Sequence, residues 1–297
     1  MTARPALAGI LLVLASAVLF ATKSIFIKLA YQETVDPVTL LTLRMVFSLP
    51  FFLAMGLLAS RGHEQTPLTR RDWLQLFALG AGGYYLASLL DFLGLQYISA
   101  GLERLVLFLY PTMTVLMTAW LLRRPVSRPT WIAIGVSYAG MTLVVWPDLA
   151  HQGSHLLLGM SLVFASAVAY AAYLVGSGEL IARIGANRFT GIALSISCLC
   201  CVVHFLLVNP LTALLVSPRV LALGITLAIV CTVLPATLLT NGIRRIGASR
   251  AALIGAVGPV ATLWLGYAVL GETLVWLQLA GTALVLTGVL LVSLKGN

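Results

Sequence analysis

The stretch Gly9–Ala21, GILLVLASAVLFA, is written a second time at Gly159–Ala171 as GMSLVFASAVAYA, with Gly, Leu, Val and the whole Ala-Ser-Ala-Val string in register. Apolar composition alone yields isolated matches, but this register continues. Ile98 and Ala100 align with Ile246 and Ala248, Pro111 with Pro259, Leu122 with Leu270, and Gly140 with Gly288. A spacing held through half the chain is an internal repeat, and it divides the sequence into a first unit, 1–150, and a second, 151–297.

Hydrophobic residues fill 60% of the 297 positions and charged residues 9%, with a mean hydropathy of +1.03. That leaves too little polar surface to solvate a globule of this size, and the chain reads as a polytopic membrane protein. Apolar runs long enough to cross roughly 30 Å of hydrocarbon fall at 6–30, 37–59, 73–96, 99–122, 130–147, 155–176, 188–208, 218–240, 248–270 and 273–294. All ten are expected to be helices, because lipid leaves an open strand with unsatisfied backbone groups. The first run contains Lys23 and Lys28 and ends without a small-residue cleavage site, so it reads as a retained helix and not a removed signal.

Each unit thus holds five spans, an odd number, so the second copy enters the membrane from the opposite side. Inverted repeats of this kind place a solute site near the midplane between the halves and exchange their conformations to alternate access. The net charge of +9 is a topology signal in this setting. Arg4, then Arg61, Arg70 and Arg71, then Arg123, Arg124 and Arg128, then Arg183 and Arg188, then Arg244, Arg245 and Arg250, then Lys295 fall on one side, while the other carries almost only Glu33, Asp36, Asp148, Glu272 and Arg219. The positive-inside rule then puts both termini in the cytoplasm, and the expected location is a bacterial inner membrane. No basic stripe for nucleic acid exists. Cys198, Cys200, Cys201 and Cys231 lie inside predicted helices and read as packing residues, neither a disulfide framework nor a metal set. No cofactor is implied, and the sequence leaves the oligomeric state open, a monomer included.

Pro111 in LERLVLFLYPT (Leu102–Thr112) and Pro259 in AALIGAVGPVAT (Ala251–Thr262) occupy equivalent places. Each lacks an N–H, so Pro111 should free the carbonyl of Leu107 and Pro259 that of Gly255, making Pro111, Pro259 and Gly255 candidate hinges. A static kink absorbed by packing is the alternative. Charges are not repeated. Lys23, Arg44, Asp91, Glu103 and Arg104 lie in the outer half of the first copy, and their equivalents are Tyr173, Leu194, Leu239, Ala251 and Ala252. Intramembrane charges are expensive and are usually paired or functional. Asp91 with Arg104 is the first pair expected, with Lys23 and Glu103 a second, as an outer gate. Lys28, and alternatively Glu103 and Arg104, can instead reach the outer headgroups.

Residues three and four apart share a helix face. Ser166, Tyr170, Tyr173 and Ser177 align on the sixth span, Ser16 and Lys23 on the first, and Tyr84, Ser88 and Asp91 on the third. Lys23, Tyr84, Ser88, Tyr110, Ser166, Tyr170 and Tyr173 are therefore the expected lining of a solute cavity, with small-residue helix packing as the competing reading of such stripes.

Several longer motifs carry a resemblance. Arg44 in LRMVF, GLQYISAGLERLVLFLYPTMTVLMTAWLL over Gly94–Leu122, and IRRIGASRAALIGAVGPVATLWLGYAVLGETL over Ile243–Leu274 resemble the drug/metabolite transporter superfamily, EamA type, and the likeness covers essentially the whole chain. Its most specific piece is the LGE ending at Glu272; the first copy has Arg123–Pro125, RRP, there instead. The resemblance implies a basket of helices one, three, four, six, eight and nine around a central cavity. It also implies similarity to exporters of aromatic amino acids.

The function expected is export of small metabolites, amino acids with aromatic or bulky apolar side chains first, by alternating access. Export of a nucleotide sugar or carboxylate is the alternative. An intramembrane enzyme and a channel or structural membrane protein are the remaining classes; against the enzyme, no H-E-x-x-H occurs and Ser177 and His204 lie at opposite depths, and the inverted repeat disfavours the channel. For coupling, Asp91 and Glu103 are the available proton carriers, and the expectation is that the solute gradient alone suffices.

Overall fold

A computed structural model describes residues 3–61, 67–121, 155–246, 257–273 and 275–295, with scattered positions between 128 and 143. The described residues form helices and no strand. In chain order these are α1 (Ala3–Tyr31), α2 (Pro37–Ala59), α3 (Arg70–Leu95), α4 (Ala100–Leu121), α5 (Leu156–Ile184), α6 (Ala186–Val208), α7 (Pro218–Ala228 continued by Leu234–Ile246), α8 (Val257–Leu265) and α9 (Trp276–Lys295). Seven are long and apolar enough to cross a membrane, and Val257–Leu270 and Trp276–Gly288 are shorter apolar helices. Of the predicted span 130–147, residues 131–132, 134–136, 138–140 and 142–143 are described, and all of these are helical.

Local chemistry sets the helix starts. Asp36 caps α2 by accepting from the Thr39 N–H, with Pro37 in the first turn where its missing N–H costs nothing. Thr69 and Asp72 form a reciprocal capping box on α3, and Ser99 and Ser217 cap α4 and α7.

The repeat governs packing contact by contact. Ser16 of α1 donates to the carbonyl of Pro235 in α7 at 2.8 Å, and its equivalent Ser166 of α5 donates to the carbonyl of Ala87 in α3 at 2.7 Å. Gly242 of α7 lies against Val13, and Gly94 of α3 lies against Val163. In both places a Cβ would sit under 3 Å from the valine side chain, so only glycine lets the helices approach this closely. The same register that relates the sequences relates these contacts, which places α1 on α7 as α5 sits on α3. The helices α2 and α6 are each other's equivalents and pack together, with the Gly56 and Gly191 backbones in near contact. Their seam holds Leu40, Leu41, Met45 and Phe52 against Leu194, Cys198 and Cys201. The cysteines at 198, 201 and 231 are buried and free, as packing residues would be.

Four helices depart from regular winding. Wide turns occur at Ala78–Tyr85 in α3 and at the equivalent Ile229–Val233 in α7, with a third at Gly266–Leu270 after α8. Helix α4 is interrupted at Phe108–Leu109, where the Leu109 N–H turns back to Val106 instead of one residue further. This is the turn before Pro111, where a proline removes the regular bond. The side chain of Pro111 and the whole of Gly255 lie outside the described residues; Pro259 is buried within α8.

Candidate functional site

Helices α1, α3 and α4 bring three charges together. Lys23 Nζ donates to Asp91 Oδ2 at 2.6 Å and to Glu103 Oε1 at 3.3 Å, and the Ser24 hydroxyl donates to Glu103 Oε2. The cluster is dry: Lys23 is 8% exposed, Asp91 2% and Glu103 0%. Asp91 Oδ1 is buried and receives no hydrogen bond.

This corrects the expected pairing of Asp91 with Arg104. Neighbouring helical residues point about 100° apart, so once Glu103 turns toward α1 and α3, Arg104 is directed elsewhere. Its guanidinium lies over Gly258 of α8, where a Cβ would be 2.9 Å from Nη2. Arg104 makes no ion pair among the described residues, and its Nε is buried without a partner. The second pair expected, Lys23 with Glu103, does form. Lys23 is therefore clamped by two carboxylates and is not a free cation lining a cavity.

Four of the predicted tyrosines form a continuous aromatic wall. Tyr84 meets Tyr173 edge-on at 5.8 Å, Tyr173 stacks on Tyr170 at 5.9 Å, and Tyr170 meets Tyr110 edge-on at 5.1 Å. Arg104 and Tyr110 lie on the same helix, six residues apart across the interruption of α4. Ser88 is half-buried one turn beyond Tyr84. Ser166 is the exception. It is 1% exposed and its hydroxyl is held by the Ala87 carbonyl, so it packs α5 on α3 and lines nothing. Trp264 of α8 is 65% exposed and meets only Tyr267 among the ring contacts described.

Two residues carry more than their sequence context signalled. Arg44 of α2 is buried, donating from Nε to Thr232 Oγ1 at 2.7 Å and from Nη2 to Tyr84 Oη at 3.3 Å, with its guanidinium 5.5 Å from the centre of the Phe92 ring. Tyr84 and Thr232 are equivalent positions in the repeat, each in a wide-turn segment, so one arginine bridges both copies. Its presence in LRMVF marked it, but its partners lie on other helices and no spacing reveals them. Glu272 accepts from the Ala100 N–H at 2.8 Å and the Gly101 N–H at 3.3 Å, closing the start of α4 from the other half of the chain. A carboxylate at a helix N-terminus is favoured by the unsatisfied N–H groups and the helix dipole. The LGE motif was the available signal.

Ser177 and His204 do not form a dyad. The Ser177 hydroxyl is bonded to the Leu174 carbonyl, and His204 Nδ1 shares a 2.6 Å hydrogen bond with Tyr85.

The family model described as "EamA-like transporter family" matches residues 7–146 and again 157–294. The chain belongs to the EamA-like transporter family. It is 32% identical to an uncharacterized transporter, YcbK, of Bacillus subtilis, over 94% of this chain and 90% of that protein. It is 28% identical to the uncharacterized transporter sll1319 of Synechocystis, over 94% and 91%. A solved crystal structure matches with a TM-score of 0.64 at 20% identity, covering 96% of this EamA chain and 97% of its own, a likeness of fold alone. The protein is thus a multi-pass membrane transporter built from two EamA repeats.

Proposed function

We propose that this transporter exports small zwitterionic metabolites, amino acids with aromatic or bulky apolar side chains first among them, from the cytoplasm of a bacterial cell by alternating access. The observation that carries the reading is the tyrosine wall from Tyr84 through Tyr173 and Tyr170 to Tyr110, whose last member shares α4 with Arg104, an arginine that makes no ion pair among the described residues. Aromatic rings give a flat apolar surface with favourable edge and stacking geometry for another ring. A solute carboxylate in a dry site needs a cation, and an arginine without a carboxylate partner offers a bidentate one. Lys23 does not fit that role, since both of its neighbours are already carboxylates. The arginine alternation between loops supports cytoplasmic termini.

Proteoliposomes containing the purified protein, loaded in turn with labelled phenylalanine, methionine, threonine and a nucleotide sugar, test the reading. Counterflow of phenylalanine and methionine is expected, with affinity reduced in Arg104→Gln. Movement of the nucleotide sugar alone overturns the amino-acid assignment, and equal affinity in parent and Arg104→Gln removes Arg104 from the solute site.

A further inference from the structure

The cluster Lys23–Asp91–Glu103 holds one ammonium against two carboxylates. With all three ionised it carries one uncompensated negative charge in a place that water barely reaches. Both carboxyl groups are held by the same ammonium, Asp91 through Oδ2 and Glu103 through Oε1. Like charges brought this close in a dry site favour a proton on one of them. Their other bonds decide which. Glu103 has both oxygens engaged, Oε1 by Lys23 and Oε2 by Ser24, whereas Asp91 has Oδ2 engaged and Oδ1 bare. A proton on Asp91 Oδ1 removes the excess charge and occupies the oxygen that has no other partner.

Every other charged or titratable group around the cluster leaves this vacancy in place. On α1, Tyr31 donates its hydroxyl to the Phe92 carbonyl, and Lys28 makes no ion pair among the described residues. On α2, Arg44 is held by Thr232, Tyr84 and the Phe92 ring. On α4, Arg104 offsets charge at longer range but supplies no donor to Oδ1, since it lies over Gly258. Beyond α8, Glu272 is occupied by the start of α4.

We propose that Asp91 Oδ1, buried and without a partner while Lys23 clamps Oδ2, is a proton-binding site whose loading from outside and unloading inside couples solute export to proton entry. This rests on the transport reading above and replaces the expectation of a solute gradient acting alone. The proton binds to Asp91 when the site opens outward and leaves as the free cation when it opens inward. No covalent bond other than O–H forms or breaks. Asp91 itself is outside the tyrosine and Arg104 solute site, so charge at the cluster and solute contact can be varied separately.

The experiment uses the full-length protein in proteoliposomes with labelled phenylalanine and with the membrane potential clamped by potassium and valinomycin. One proton per solute predicts a steady phenylalanine ratio of about tenfold for each unit of pH gradient. Asp91→Asn should lose that accumulation yet still exchange labelled for unlabelled phenylalanine, which also shows that the variant is folded. Accumulation indifferent to pH, accumulation that follows a sodium gradient instead, or an Asp91→Asn protein as concentrative as the parent each overturns the proposal. Infrared difference spectra of the detergent-purified parent, between acidic and alkaline buffer, read the site without any solute. A protonated-carboxyl band that titrates in the parent and is missing in Asp91→Asn supports the proton site even if phenylalanine proves the wrong solute, and its absence from the parent overturns it.

Discussion

Lys23 is the residue on which the charge cluster depends. Removing it leaves two carboxylates facing each other in a dry site, and breaking a buried ion pair from one side costs about 3–5 kcal/mol. Lys23→Met should therefore melt far below the parent in detergent, and Lys23→Met with Asp91→Asn should recover a large part of the loss. Asp91→Asn and Arg104→Gln, by contrast, should add within about 0.5 kcal/mol, since the two side chains share no bond. Strong non-additivity between those two would reinstate the pairing of Asp91 with Arg104. The reason this pairing misled is geometric. Glu103 and Arg104 are neighbours in sequence, and nothing in the sequence says which of them faces α1.

At the scale of helices, the paired serines make a sharper test of the repeat than any alignment. The hydroxyls of Ser16 and Ser166 do the same thing in the two copies, each donating to a carbonyl of the facing helix. Replacing either with alanine should cost about 1 kcal/mol, and the two costs should be similar in thermal unfolding; unequal costs would show that the symmetry is only topological. Much of this level was legible beforehand. Apolar runs gave the spans, the kept Pro111 foretold a break in α4, and the Gly9–Ala21 string foretold the register. The role of Ser166 was not legible, because a small polar stripe looks the same whether it lines a cavity or packs a helix. Nor was the bridging by Arg44, whose partners Tyr84 and Thr232 come together only after both copies have folded. Arg44→Leu should then loosen α3 and α7 at once, seen as faster amide exchange in both wide-turn segments.

Across the whole molecule, the two copies differ in how they fasten the end of the bundle. Glu272 ties the segment after α8 in the second copy to the first turn of α4 in the first. In the repeat register its counterpart is Arg124, which lies outside the described residues but, as an arginine, has no acceptor to offer helix N–H groups. The carboxylate latch of Glu272 thus has no carboxylate at its repeat-equivalent position. A carboxylate at a helix N-terminus contributes up to about 2 kcal/mol, which shifts a two-state balance by as much as about thirtyfold. Inverted repeats otherwise give the two open states comparable standing, so this asymmetry biases the resting protein toward closure at the Glu272 end. Glu272→Gln should relax the bias. With the native cysteines replaced and a single cysteine introduced at Ser88, a membrane-impermeant thiol reagent added outside should label Glu272→Gln several-fold faster than its parent. Unchanged labelling from both sides would assign Glu272 to static capping of α4, and faster labelling from the inside alone would reverse the topology assigned from the arginines.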